Sequence, residues 1–570
     1  MPKLIPPLNI VTVTLVALAA RAVTATWTGL TTDEANGVLV AVTGSWADMV
    51  QHLKEDGNAP LLYVLLRLYA RVFGSSDLAV KLFALFLGTI QVPLSYWVCR
   101  RFLSKELSLQ VAFLLALCPQ LVRYSTLVRS YSLISILGLV STWACIRVLT
   151  GPKSFLWPIA YGASTAALVY SHYWGAFVAI GQACLAVIGA IWRWFTLENL
   201  KRWLAGVALS LLLFLPWTPI LYYQFTHVLD VWDTPPLPSF LATHMASLVL
   251  VGAYYTLDPS DQLALLISSG LLLLVLFSPR TMITPEYDGR CWKTVAFCGY
   301  GAGLLVSLFE PAMRDRYLTP FAPLLILVFV TAFHELFPRL PRLARAVVPV
   351  AIWLPMWIPA LLYLSSEPET GTPGIVAEIK RDLDRRKDLV VISWPIIVPT
   401  INFYLPEDVK VVTFPDIKRI KFNRWDGMLE RLRSRKNLEE LLNAMEATLA
   451  AGGRVWLIDR YHNVRPRDFN DEEPMKGMKY METEVYRMDQ VRTWLALHAE
   501  QVGSNKLAPG RDFSVFLTIY RPRKEGEVTA QLPFSSAPQA ADLAGEISPG
   551  FTQDAWQALT TREQDRGLRR

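Results

Sequence analysis

The sequence predicts a polytopic α-helical membrane protein followed by a small α/β domain. Three observations carry this. Of 570 residues, 53% are apolar and 18% charged, with a mean hydropathy of +0.32, too apolar for an ordinary soluble protein. Nineteen Trp and 21 Tyr suit aromatic belts at two membrane interfaces. Beyond residue 365 the long apolar runs stop, and helical and buried-strand patterns alternate instead.

A helical span needs about 20 apolar residues. Eleven stretches qualify, near 10–27, 78–99, 107–121, 129–148, 155–171, 173–192, 203–223, 262–278, 293–309, 317–333 and 346–364. Lys3 and the first run, without a small-residue cleavage site, read as a retained signal anchor. Basic clusters fall at every second connection: Arg100, Arg101 and Lys105; Arg147 and Lys153; Arg193, Lys201 and Arg202; Arg280, Arg290 and Lys293; Arg339, Arg342 and Arg345. By the positive-inside rule these connections and the N-terminus are cytoplasmic. The connection from Gln224 to Gln262 has no Lys or Arg, and its apolar stretch Phe240–Tyr255 is expected to lie at the outer interface. Everything after Ser365 is then outside the cytoplasm. The net charge of +7 is dispersed between spans and marks topology, not nucleic-acid binding. Six cysteines form no CxxC pair, so neither a disulfide framework nor a zinc site is indicated.

The first outer connection is long. Ser45-Trp46-Ala47-Asp48 starts a short helix, Asp56-Gly57-Asn58 is a turn, and Pro60 opens a second helix to Phe73. These two helices are expected to bring Asp56 close to an acidic pair, Asp33-Glu34, which follows the first span after a turn of Thr and Gly. After the linker 367–374, helices are expected at Val376–Arg386, Leu429–Leu449 and Gln490–Ala499, and strands at Leu389–Ser393, Val409–Phe414, Val455–Asp459 and Phe513–Tyr520. No glycine-rich phosphate loop follows any strand. The domain boundaries are 1–366, 367–523 and a disordered tail, 524–570.

Ionisable groups at a membrane edge are functional candidates. Asp33 and Glu34 lead them, against the plainer reading of a solvated loop. Arg21 lies inside the first span and either faces a polar cavity or snorkels. Arg129, before Ser130 and Tyr131, and Arg316, before Tyr317, sit on the outer side, where basic residues are disfavoured. A guanidinium there either anchors at headgroups or binds phosphate oxygens bidentately. Tyr170, His172 and Tyr173 meet them at the outer ends of the fifth and sixth spans. A lone His is more often structural than catalytic.

Taken together, Arg21, Asp33-Glu34, Asp56-Gly57-Asn58-Ala59-Pro60-Leu61, Arg129-Ser130-Tyr131-Ser132-Leu133 and Arg316-Tyr317-Leu318-Thr319-Pro320 make a pattern. It resembles the C-type (GT-C) integral-membrane glycosyltransferases that use polyprenyl-phosphate sugars, such as the protein O-mannosyltransferases and aminoarabinose–lipid A transferases. The match covers residues 1–366, and the α/β domain is similar to that of bacterial members. Asn58 and Ala59 replace the family's usual basic residue and first Pro.

The resemblance implies an inverting transfer from a polyprenyl-phosphate sugar to an acceptor hydroxyl on protein, lipid or envelope glycan, at the outer face of the inner membrane. It implies Asp33 as base. Glu34 would orient it, hold a divalent cation or bind acceptor, although no ligand cluster demands a metal. Arg129, Arg316 and Arg21 are the expected phosphate ligands. Asp56, Asn58, Tyr131, His172, Tyr173 and Tyr317 are expected to contact substrate. Two other classes compete: a transporter or flippase whose outer carboxylates bind a coupling ion, and a sensor whose output is the α/β domain. Against the first, the sequence shows no inverted repeat and no pair of Gly/Pro-broken central helices.

Overall fold

A computed structural model describes residues 9–25, 29–228, 270, 288–308, 315–366, 372–459, 475, 478–506 and 515–523. The chain enters through α1 (Ile10–Thr24). Three short helices follow before the next long one: α2 (Thr32–Val42), α3 (Trp46–Asp56) and α4 (Leu61–Phe73). The long helical region contains α5 (Asp77–Cys99), α6 (Lys105–Leu117), α7 (Pro119–Ser125), α8 (Tyr131–Thr150), α9 (Leu156–Ser171), α10 (Gly175–Ile191), α11 (Leu197–Phe214) and α12 (Thr218–His227). It resumes as α13 (Gly289–Ser307), α14 (Ala322–Leu336) and α15 (Arg342–Ser366).

Helices therefore stand at ten of the eleven expected span positions. The eleventh, 262–278, lies outside the described residues except for residue 270, and the stretch Phe240–Tyr255 and the tail 524–570 lie outside them entirely. Among the described residues, α5, α8 and the run Leu197–His227 are long and apolar enough to cross a bilayer, and the bent pair α6–α7 makes a fourth if it is one span. That pair bends by 57° at Cys118, where Pro119 starts the new helix without needing an intrahelical N–H bond. In Leu197–His227 only 11% of the most apolar window is buried by protein. Its leucines need lipid as their solvent.

The C-terminal domain runs α16 (Thr372–Asp382), β1 (Leu389–Ile392), α17 (Val398–Tyr404), β2 (Val411–Thr413), α18 (Met428–Arg433), α19 (Arg435–Ala450), β3 (Val455–Asp459), α20 (Tyr480–His498), β4 (Ala499–Lys506) and β5 (Phe516–Pro522). The sheet order is β2-β1-β3-β5-β4, parallel through β2, β1 and β3 and antiparallel beyond. Leu389 and Val391 face one apolar core with α19 and α20; Val390 and Ile392 face another with α16 and α17. A strand covered on both faces reads as an unbroken apolar run, which is why β1 and β3 were legible. Edge strand β4 was not expected; Gln490–Ala499 was read as helix only. The sequence there is Ala-Glu-Gln-Val-Gly-Ser-Asn-Lys, poor in strand formers, with a register shift between Gln501 and Gly503. The expected helix Leu429–Leu449 is two helices divided at Ser434, which caps the second through its side chain.

This domain packs directly on the first outer connection. Tyr404 Oη accepts from the Leu30 N–H (2.8 Å) and donates to Asp77 Oδ2 (2.7 Å). Thr400 Oγ1 donates to Thr32 Oγ1 (3.1 Å), and the N–H groups of Trp425 and Asp426 donate to Glu55 O (3.1 and 3.3 Å).

Candidate active site

Asp33 and Glu34 sit in the first turn of α2, not in an open loop. Thr31 caps that helix: its Oγ1 accepts the Glu34 N–H (3.3 Å), and Glu34 Oε2 accepts the Thr31 N–H (2.9 Å). The signal Thr31-x-x-Glu34 was present in the sequence. Glu34 is completely buried. Its Oε1 takes Lys81 Nζ (2.7 Å) and the Val128 N–H (2.8 Å); its Oε2 also takes Lys81 Nζ (2.9 Å). Both carboxylate oxygens of Glu34 are thus engaged by protein donors. It ties α2 to α5 and to the loop that carries Arg129, a structural place the sequence reading did not foresee beside the expected chemical one. Among the described residues no three His, Cys, Asp or Glu side chains converge as a metal site, and the residues around Asp33 are cationic.

Asp33 turns the other way and leaves half its side chain exposed. Arg129 Nη2 lies 4.0 Å from Asp33 Oδ2, and Arg129 Nη1 donates to Asp33 O (3.4 Å). Desolvation alone would raise the Asp33 pKa; the guanidiniums of Arg129 and Arg316 outweigh it and hold the carboxyl below its ordinary range. Arg129 also donates to Tyr63 Oη (3.4 Å) and Asn58 Oδ1 (3.5 Å), all long contacts that a better acceptor can displace. Arg316 lies on a 3-10 turn, Asp315–Leu318. Its Nε is buried with no hydrogen-bond partner among the described residues.

The turn after α3 supplies the second carboxylate. Asp56 Oδ2 accepts from Asn36 Nδ2 (2.7 Å) and from Asn58 Nδ2. Burial pushes Asp56 up to about 7, against the opposing pull of Arg129; Asp33 adds to the rise. Gly57 makes the turn at φ 82°, a left-handed conformation, and its N–H closes on Leu53 O. Gln224 on α12 holds the turn from outside, donating to Leu53 O (2.8 Å) and Asn58 O (3.2 Å).

His172 caps α9 and its Nδ1 accepts the Trp174 N–H (3.2 Å), which places the ring proton on Nε2. Burial, then Arg129 and Arg316, push its imidazole down to about 3. In that tautomer its Nε2–H is a donor. Its ring lies 5.2 Å from Tyr317 and 6.2 Å from Tyr131, and Tyr317 stacks on Trp174 at 4.3 Å. Tyr173 accepts from Trp217 Nε1 (2.8 Å) and donates to Gln224 Oε1, so its hydroxyl supports the Asn58 turn.

Arg21 does not join this cluster. Fully buried, it donates to Ala17 O (3.1 Å) and Ala116 O (3.0 Å). Ala116 is in the last turn of α6, where backbone carbonyls lose their helical donors at the bend. Through Nη1 the residue supports a broken helix, while its Nε and Nη2 are buried with no hydrogen-bond partner among the described residues.

Gly57, Asn58, Ala59, Leu62, Tyr63, Arg129, Ser130, Ser171, His172 and Tyr173 line a cavity of about 290 Å³, part of it open solvent. The arrangement sets a half-exposed carboxylate against guanidiniums with no strong acceptor among the described residues. Sequence reading missed Lys81, Asn36, Tyr63 and Gln224. A lysine in an apolar stretch is itself a signal of a buried partner; the others are ordinary residue types marked by position alone.

Residues 57–220 match the family model for dolichyl-phosphate-mannose-protein mannosyltransferase. Among solved structures, apo ArnT from Cupriavidus metallidurans superposes with a TM-score of 0.58 at 12% identity, over 90% of this chain and 97% of that one. The same enzyme bound to undecaprenyl phosphate gives 0.55 at 11% identity, over 90% and 97%. The fold is that of the GT-C glycosyltransferases. The apo oligosaccharyltransferase of Archaeoglobus fulgidus is also similar, with a TM-score of 0.50 at 13% identity, over 79% of this chain and 69% of that one. Among curated proteins none matches the sequence. On this GT-C frame, the family match opens at Gly57 and takes in Asn58, Arg129 and His172; Asp33, Asp56 and Arg316 lie outside it.

Proposed function

We propose that the chain is an inverting glycosyltransferase that moves a sugar from a polyprenyl-phosphate donor to an acceptor hydroxyl at the outer face of the plasma membrane. The observation that carries this reading is Asp33, half exposed and faced by Arg129 and by Arg316. ArnT, which shares the fold, binds undecaprenyl phosphate. The topology behind the proposal has eleven spans, a cytoplasmic N-terminus and a C-terminal domain outside.

In the proposed step the acceptor oxygen attacks the anomeric carbon and gives its proton to Asp33. The bond from that carbon to the phosphate oxygen breaks, and the lipid phosphate leaves with the electron pair. Arg129 and Arg316 take the developing phosphate charge. One displacement inverts the anomeric centre and requires no second nucleophile. The same two guanidiniums hold the Asp33 pKa down. A donor phosphate competes for them, so donor binding raises the basicity of Asp33 when a base is needed. General-base help of this kind is worth about 10²–10⁴-fold. Asp56 Oδ1 has no hydrogen-bond partner among the described residues and is available to a substrate hydroxyl; His172 Nε2–H is the matching donor.

The test is transfer by purified full-length protein in nanodiscs, given radiolabelled polyprenyl-phosphate sugars or nucleotide sugars together with membrane extract. Label is expected to move only from the lipid-linked donors. Efficient transfer from a nucleotide sugar in the absence of polyprenyl phosphate would refute the proposal.

A further inference from the structure

Asn36 lies one helical turn after Asp33 on α2 and is 2% exposed. Its amide is held at both ends. Oδ1 accepts the peptide N–H of Asn423 from the C-terminal domain (2.9 Å), and Nδ2 donates to Asp56 Oδ2 (2.7 Å). The two partners fix the orientation without ambiguity. A peptide N–H only donates, so the amide oxygen must face it, and the nitrogen must then face the carboxylate. The segment that brings Asn423 is itself anchored. Trp425 and Asp426 N–H groups reach Glu55 O, Arg424 pairs with Glu55 (3.2 Å), and Phe422 packs on His52 at 3.8 Å. All of these grip α3, the helix that ends at Asp56.

We infer that Asn36 is a positioning residue through which the C-terminal domain holds the second carboxylate of the site, Asp56. The inference rests on the function proposed above for its consequence in catalysis, but not for the link itself. The domain is then a structural part of the site, not an accessory. An amide N–H donated to a carboxylate favours the charged form. The groups that face Asp56 electrostatically are Arg129 from the α7–α8 connection, Asp33 from α2 and Tyr63 from α4. Of these only Arg129 favours the anion, so loss of the Asn36 bond moves the balance toward the protonated acid.

The experiment is an infrared pH titration of the full-length protein in nanodiscs. The protonated-carboxyl band of Asp56 is defined as the one missing in Asp56→Asn. In Asn36→Ala its midpoint is expected to rise by about one pH unit, the size of one charge-assisted hydrogen bond. Asn423→Pro, which removes the peptide N–H, is expected to shift it in the same direction. Asn423→Ala keeps the N–H and is expected to leave it in place. If Asn36→Ala does not fold, Asn36→Ser tests the same point with a hydroxyl too short to span both partners. An unchanged midpoint in the folded Asn36 variant overturns the inference, and a shift there without one in folded Asn423→Pro overturns the role of the domain. The band needs no sugar transfer, so failure of the proposed reaction leaves this result standing. Where transfer is observed, the acidic limb of its pH profile is expected to move up with the band. A loss of rate uniform in pH contradicts the positioning role.

Discussion

Asp33 and Glu34 are neighbours whose surroundings give them different work. Helix α2 sets Asp33 beside Arg129, a residue of the cavity wall, and turns Glu34 toward Lys81, 47 residues away in sequence. Breaking a buried ion pair costs about 3–5 kcal/mol because the remaining charge is stranded. Glu34→Gln is therefore expected to lower the thermal midpoint in detergent sharply, and Glu34→Gln with Lys81→Met to recover much of it. A variant with the wild-type midpoint but no transfer would return Glu34 to the chemistry. The acidic pair was legible from its place at a membrane edge. The division of labour was not, because it depends on a lysine and a backbone N–H brought in by other elements. The carbonyl partner of Arg21 was hidden for the same reason: a guanidinium in a span announces a partner, but not that one partner is a carbonyl left over at a bent helix.

At the scale of elements, the broken pair α6–α7 and helix α5 are fitted around Gly88. A Cβ there would lie 2.1 Å from Ser125 Cβ and 3.2 Å from Arg21 Nε. Gly88→Ala is expected to destabilise by at least about 1–3 kcal/mol, the usual cost of overpacking. Gly301→Ala, in open space on α13, serves as the neutral comparison in the same melt. Long apolar helices and doubly buried strands were readable because burial imposes composition. Helix α2 was readable too, through its capping box, but the turn of Thr and Gly before it suggested a loop. Edge strand β4 follows from pairing with β5, which leaves little mark on its own sequence.

At the scale of the molecule, the sheet domain seats on α2, α3 and the start of α5 through Thr400, Asn423, Tyr404 and the N–H groups of Trp425 and Asp426. Its proposed side of the membrane, outside the cytoplasm, rests on the basic clusters. The six cysteines lie between residues 99 and 298, and Lys436 is exposed on α19. Lys436→Cys is expected to react with a membrane-impermeant maleimide in intact cells. Reaction only after lysis would reverse the topology and the outward-facing site with it. The contact of the sheet with α2 and α3 was beyond the sequence, since it is made by single polar groups far apart in the chain. The central claim is that Asp33 takes the proton from the acceptor, and it is tested most directly by Asp33→Asn. The amide keeps the shape but cannot accept the proton. With a polyprenyl-phosphate sugar that the wild type uses, the folded variant is predicted to lose about 10²–10⁴-fold in transfer rate; transfer near the wild-type rate would contradict the account.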